Sequence, residues 1–259
     1  MLRERGTISV ADRYNLAYGP LEMSPRMSSP ASEAPPLGIG FYTVPEAARL
    51  IRMPPRNITR WLGGYAYKFD GEVRRMPPLW APELPANDDR LELSFRDMIE
   101  LRFIQAFVRQ DVDLQVIREC LEAAREAVQD PRPFSTRRFK TDGRTIFLES
   151  LKADGGSEML DLKRGQYVIK AVLEQTFRDL DIEGDVVTRW RPFQGRETIV
   201  IDPRRAFGQP IAAEAGVPTV TLADAVKAEG SVERVARLYE VPVAAVRDAV
   251  RFEELLHAA

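Results

Sequence analysis

One twenty-residue phrase occurs twice in this chain. Residues 43–62 read TVPEAARLIRMPPRNITRWL, and residues 231–250 read SVERVARLYEVPVAAVRDAV. Aligned without gaps, Val44, Ala48, Arg49, Leu50 and Pro54 meet Val232, Ala236, Arg237, Leu238 and Pro242. Each copy opens on a hydroxyl N-cap, Thr43 or Ser231, and runs about two turns before a Met53-Pro54 or Val241-Pro242 break. An apolar period then resumes. Short helix, tight turn, second helix is the pattern of a helix-turn-helix. The copies diverge after the turn. The first continues Pro55-Arg56-Asn57-Ile58-Thr59-Arg60, the second Val243-Ala244-Ala245-Val246-Arg247-Asp248. Cations and amides suit a nucleic acid, whereas a small apolar run suits a protein surface.

Charge separates the copies in the same way. Residues 41–80 hold seven Lys/Arg against three Asp/Glu, a net of +4, inside a chain whose net charge is −2. Residues 91–130 hold five against nine, and residues 219–259 five against seven, for nets of −4 and −2. The positive field is therefore local to the first copy. One cysteine, Cys120, excludes an internal disulfide, and a single histidine, His257, leaves no soft-ligand metal set. Cys120 falls on an apolar stripe and reads as a small core residue. No apolar run approaches the ~18 residues of a membrane span, and no signal-peptide core stands at the start. These features predict a cytoplasmic protein with no cofactor. There is no Gly-rich phosphate loop and no nucleophile beside a base, so no enzyme is expected.

The predicted fold class is α+β, mainly α, in four stretches. Residues 1–40, rich in Pro, Ser, Met and Glu, form a disordered or extended arm. Residues 41–133 form a winged helix-turn-helix. Its first helix starts on the capping box Thr43-Val44-Pro45-Glu46, and its second stops at Gly63-Gly64. Strands 65–69 and 72–76 flank Asp70-Gly71, a hairpin signal, and make the wing. After a Pro- and Asp-rich connector (77–90), two helices follow, the first capped by Ser94 and the second running over about 113–128. Asp111 marks a left-handed corner between them. Residues 134–196 read as a mixed, β-rich region. Phe139–Thr141 and Thr145–Leu148 flank Asp142-Gly143 as a second hairpin, Met159–Leu162 adds a strand, a helix covers 166–177, and 186–190 is a strand. Residues 197–259 begin with a strand at 197–201 and close the chain with three helices, the last two being the second copy.

The candidate DNA-binding residues are Arg56, Asn57, Thr59 and Arg60 on the second helix of the first copy, with Lys68, Arg74 and Arg75 on the wing. Arg can fork onto guanine and Asn onto adenine, while wing cations grip phosphates. The competing reading is a solvated basic face. Trp61 reads as core, and Glu119, Glu122 and Glu126 as an ordinary polar helix face. Arg247 and Arg251, four apart on the last helix, are candidates for toxin or dimer contact.

Residues 41–130 resemble the MerR-type winged-helix domain, through TVPEAARLI, NITRWL, the wing and LSFRDMIELRFIQAFVRQDVDLQVIREC. Asp97, Leu101, Ile104, Leu114, Ile117 and Arg118 match its usual helix pair; Asp111 replaces a Gly, and Thr59 replaces an Arg. Residues 197–256 resemble a small antitoxin-like domain of unknown function, through Ile199-Val200-Ile201-Asp202-Pro203, Gly208-Gln209-Pro210-Ile211 and Gly230-Ser231 to Tyr239-Glu240-Val241. Ala215-Gly216-Val217-Pro218 departs from its usual turn. In this order the two domains resemble VapB-type antitoxins. That resemblance implies a homodimer that binds double-stranded operator DNA and neutralises a PIN-like ribonuclease toxin, with no membrane role. The alternative is a MerR-like transcriptional regulator that senses a small organic effector through its middle region.

Overall fold

The computed structural model describes residues 38–85, 90–153 and 159–258, so the arm expected over residues 1–40 lies outside the described residues except for Gly38–Gly40. The chain enters through β1 (Tyr42–Thr43), which pairs antiparallel with β4 (Glu92–Leu93). Helix α1 (Val44–Ile51) follows at once because its cap is complete. The Thr43 hydroxyl accepts the Glu46 amide at 3.4 Å, and the Glu46 carboxylate accepts the Thr43 amide at 2.8 Å. Arg52, left-handed at φ 53°, ends α1, and Pro55 opens α2 (Pro55–Gly63). The two helices bury Ala47, Ala48, Leu50 and Ile51 against Ile58, Trp61 and Leu62. A hairpin follows, β2 (Tyr65–Phe69) and β3 (Glu72–Met76). Its turn needs two positive φ angles and has them, 50° at Asp70 and 81° at Gly71.

The connector is more than a spacer. Leu79, Trp80 and Leu84 are buried. Arg118 donates to the carbonyls of Pro77 and Pro78, both at 3.0 Å, and Arg125 donates to that of Leu79 at 3.0 Å. Prolines remove donors but leave acceptors, so a Pro-rich strap is held by guanidinium groups from a neighbouring helix. That helix is α4 (Leu114–Val128). Before it stands α3 (Phe95–Arg109), with the capping box of Ser94 and Asp97 at its start and the left-handed Asp111, φ 57°, after its end. Helix α3 is the centre of the molecule, with Phe95, Met98, Ile99, Leu101, Phe103, Ile104 and Phe107 all buried. Its buried residues and the Ile117–Cys120–Leu121–Ala124 face of α4 are therefore spent inside the chain's own core.

The middle region departs from the sequence reading. Where a hairpin around Asp142-Gly143 and a strand at 159–162 are expected, the chain forms two helices, α5 (Arg137–Ala153) and α6 (Met159–Phe177). Phe139, Ile146, Phe147 and Ser150 are buried at helical spacing, and Gly143 completes that stripe. Gly143 serves packing rather than a turn. A Cβ there would stand 3.1 Å from the Phe139 ring, and one at Gly165 of α6 would stand 2.5 Å from Leu151. Both glycines permit close packing of side chains over the helix backbone. Rings of Phe103, Phe107, Phe134, Phe139, Phe147 and Phe177 pack together, mostly tilted, with centroids between 4.6 and 5.9 Å apart.

Four antiparallel strands follow in spatial order: β5 (Leu180–Glu183), β6 (Val186–Trp190), β7 (Ile199–Ile201) and β8 (Pro210–Ala212). Arg102 of α3 ties the sheet to the centre. It meets both oxygens of Asp179 at 3.0 and 3.1 Å and lies 4.2 Å over the Trp190 ring. The chain closes with α7 (Thr219–Glu229), α8 (Val232–Leu238) and α9 (Val243–His257). The C-terminal stretch reaches back to the start: Phe41 donates its amide to Phe207 at 3.0 Å, and the Tyr42 hydroxyl donates to the Gly208 carbonyl at 2.7 Å. The described residues from Gly38 on thus form one compact unit, mixed α+β and mainly helical.

Candidate nucleic-acid interface

Arg56, Thr59 and Arg60 emerge from α2 because Ile58, Trp61 and Leu62 take the inward face; Asn57 is half-buried between the two. Arg56 stands in the first turn of α2. The preceding Pro54 has no capping side chain, and no acid occupies that turn. A cation at the positive end of a helix dipole is unfavourable unless an anion joins it. The side chains of Arg56, Lys68 and Arg75 have no ion-pair or hydrogen-bond partner among the described residues. Thr59 returns its hydroxyl to the Pro55 carbonyl at 3.2 Å, so only its lone pairs remain on offer. The Arg60 guanidinium lies 4.1 Å over the Tyr65 ring, which links α2 to the hairpin.

The three hairpin cations do not share a face. Register sets Tyr67 opposite Arg74, Ala66 opposite Arg75 and Lys68 opposite Val73. Lys68 and Arg75 therefore project on one side, and Arg74 on the other with Tyr65 and Tyr67. All three are exposed. Arg49 and Arg52, one helix earlier, are exposed as well and extend the positive surface.

The second copy has the same elements with opposite chemistry. Helix α9 buries Ala245, Val246, Ala249, Phe252 and Leu256. Ala244 stands in the place of Arg56, and buried Ala245 in the place of Asn57. The place of Arg60 is taken by Asp248, a buried acid that accepts from the Thr198 hydroxyl at 2.7 Å and from Arg196 at 3.3 Å. Arg247 and Arg251 are exposed, but Arg247 is already bound to Glu233 of α8 at 3.1 Å.

Sequence reasoning placed Asp97 in the helix pair but missed the contacts that it and Glu100 make. Asp97 is fully buried and accepts from Trp80 Nε1 (2.9 Å), the Glu83 amide (3.0 Å), the Ser94 amide (3.1 Å) and Arg132 Nε (2.7 Å). Beside it, Glu100 accepts the Phe134 and Ser135 amides at 3.2 and 2.8 Å. Burial raises the Glu100 carboxyl to about 7, and the two amides and Arg96 restrain the rise. Cys120, on the inner face of α4, is pushed up to about 12 by burial and stays a thiol. Among the described residues, no three His, Cys, Asp or Glu side chains are placed to hold a metal, and no helix is long and apolar enough to cross a membrane.

No protein-family model matches the chain. It is 26% identical, over 224 residues, to the "Putative antitoxin VapB45" of Mycobacterium tuberculosis, an alignment covering 82% of this chain and 93% of that protein. In three dimensions it resembles the crystal structure of Rv2018 from Mycobacterium tuberculosis, with a TM-score of 0.64 at 22% identity. That superposition covers 83% of this chain and 99% of the other, so the two share a fold.

Proposed function

We propose that this protein is the antitoxin of a toxin–antitoxin pair: a homodimer that binds its own operator through the first helix pair and hairpin, and holds a PIN-like ribonuclease inactive. The similarity to an antitoxin along most of both chains supports the role. The observation that carries the DNA part is Arg56, a cation without a partner among the described residues at the bare N-terminus of α2. A phosphate there would meet both the helix dipole and the guanidinium. In this reading the first copy is a winged helix-turn-helix. Helix α2 lies in a major groove with Asn57 and Arg60 toward base edges, and Lys68 and Arg75 hold backbone phosphates. Two-fold symmetry follows from the need to read two half-sites.

The second copy contacts protein in this reading. Its buried Asp248 and apolar α9 give a duplex nothing to hold, and Arg251, with Arg247, faces the acidic groups that a metal-dependent ribonuclease gathers at its active site. The alternative reading puts an organic effector within 134–196. The phenylalanine core fills much of that stretch, which favours the antitoxin role. The test is to seek a PIN-like reading frame beside this one and to co-express its product with the full chain. The proposal expects a purifiable complex and rescued growth, and expects Arg247→Glu with Arg251→Glu to weaken both. Growth arrest that persists with the intact chain, and no complex, would sink the antitoxin role.

A further inference from the structure

A cleft of about 450 Å³ opens between the two copies of the repeat, walled by β1 and α1 on one side and by β8, α7 and α9 on the other. That is the size of a small-molecule site, and segments from both ends of the chain converge on it. Its walls are aromatic and aliphatic: Phe41, Tyr42, Leu50, Phe207 and Leu256. Phe207 is 66% exposed at the rim. The backbone holds it there at a cost, since Ala206 and Phe207 are both left-handed, at φ 45° and 54°, although neither is glycine. Hydrogen bonds enforce the turn: the Phe207 carbonyl takes the Phe41 amide, and the Gly208 amide meets the Arg205 carbonyl at 2.9 Å. Strain that a fold over-determines in order to expose an aromatic ring beside a cleft points to use of that ring.

The lining includes a buried carboxyl group with no ion-pair partner among the described residues. Glu253 lines the cleft and is only 7% exposed. One of its oxygens accepts the Thr219 hydroxyl, and no ion pair reaches the carboxylate among the described residues. Lys227 acts on it only at a distance and is bound to Asp224 at 2.8 Å. Arg49, also in the lining, is exposed and forms no ion pair among the described residues. Burying a carboxylate without a cation is expensive, and an incoming cation relieves the cost. Aromatic faces beside a carboxylate recognise ammonium and guanidinium groups on apolar bodies.

We infer that this cleft is a binding site for a small organic cation, with its charged nitrogen at Glu253 and its apolar body between Leu50, Leu256 and the Phe207 ring. The inference is independent of the antitoxin role. Such a ligand bridges α1 of the first copy to α9 of the second. The test uses the full chain and two probes of equal shape, phenethylamine and the uncharged phenethyl alcohol, read by calorimetric titration and thermal unfolding. The amine binds saturably and about tenfold more tightly than the alcohol, the size of one charge-assisted contact. Glu253→Gln keeps the hydrogen bond from Thr219 and abolishes the preference for the amine. Phe207→Ala, at an exposed side chain, leaves unliganded stability unchanged and weakens amine binding. Equal binding of both probes, no saturable binding, or an undiminished preference in Glu253→Gln overturns the inference. So does loss of a dimer by light scattering in Phe207→Ala without any amine binding, which would assign the cleft to a second copy.

Discussion

Asp97 carries more of this structure than any other single side chain. Four donors from three separated segments meet its two oxygens, and one of them is the buried guanidinium of Arg132. Removing the carboxylate leaves that buried cation only the longer pair to Glu83 at 3.9 Å. Asp97→Ala is expected to cost about 3–5 kcal/mol, seen as a lower urea midpoint. Glu100 sets a pH dependence of the opposite kind from an ordinary ion-paired acid. Its folded carboxyl titrates near 7, well above the 4.5 of an unperturbed glutamate. The folded state therefore binds the extra proton between those values, and stability contributed below pH 4.5 is lost as pH rises through 7. The full window is worth ~3 kcal/mol, and less after local relaxation. Subtracting the stability–pH curve of Glu100→Gln from that of the parent should leave a difference that falls with pH across this window. A flat difference would contradict the buried, protonatable state.

At the scale of elements, the joint between the two ends of the chain is the most exacting contact. Gly208 has φ 82°, and a Cβ there would stand 2.3 Å from the Tyr42 hydroxyl. Gly208→Ala thus adds a strained backbone to a clash and should destabilise by more than about 1 kcal/mol. Tyr42→Phe leaves the Gly208 carbonyl without its donor and should cost about 1–3 kcal/mol. Thermal unfolding of both variants checks the pair; unchanged midpoints would mean that the joint does not hold the ends together. Contacts of this sort were not legible in the sequence, because Tyr42 and Gly208 are far apart in it and the motif that holds Gly208 does not point to its partner. The first helix pair and hairpin were legible because their signals are local: the Thr43–Glu46 cap, the proline at the start of α2, and Asp70-Gly71 in its turn. The same reasoning misread Asp142-Gly143, where the glycine accommodates the Phe139 ring within a helix. The connector expected over 77–90 gave no sign of its anchors, since Arg118 and Arg125 lie some forty residues away from the carbonyls they hold. Within the candidate interface the charges were readable. The division of Lys68 and Arg75 from Arg74 required the strand register, and the place of Glu253 required the tertiary fold.

Across the whole molecule, the two copies of the pattern differ in surface chemistry at a handful of positions. Where the first has Arg56 and Arg60, exposed on α2, the second has Ala244 and a buried Asp248 bonded to Thr198. The central claim is that only the first copy reads DNA. Fluorescence anisotropy with the protein's own upstream region, at two salt concentrations, tests it most directly by comparing two double variants. Arg56→Ala with Arg60→Ala should lose at least about tenfold in affinity, with a shallower salt dependence, because a phosphate contact and a base contact go together. Arg247→Ala with Arg251→Ala should bind as the parent does. Unchanged binding in the first variant, or a loss confined to the second, would contradict the account.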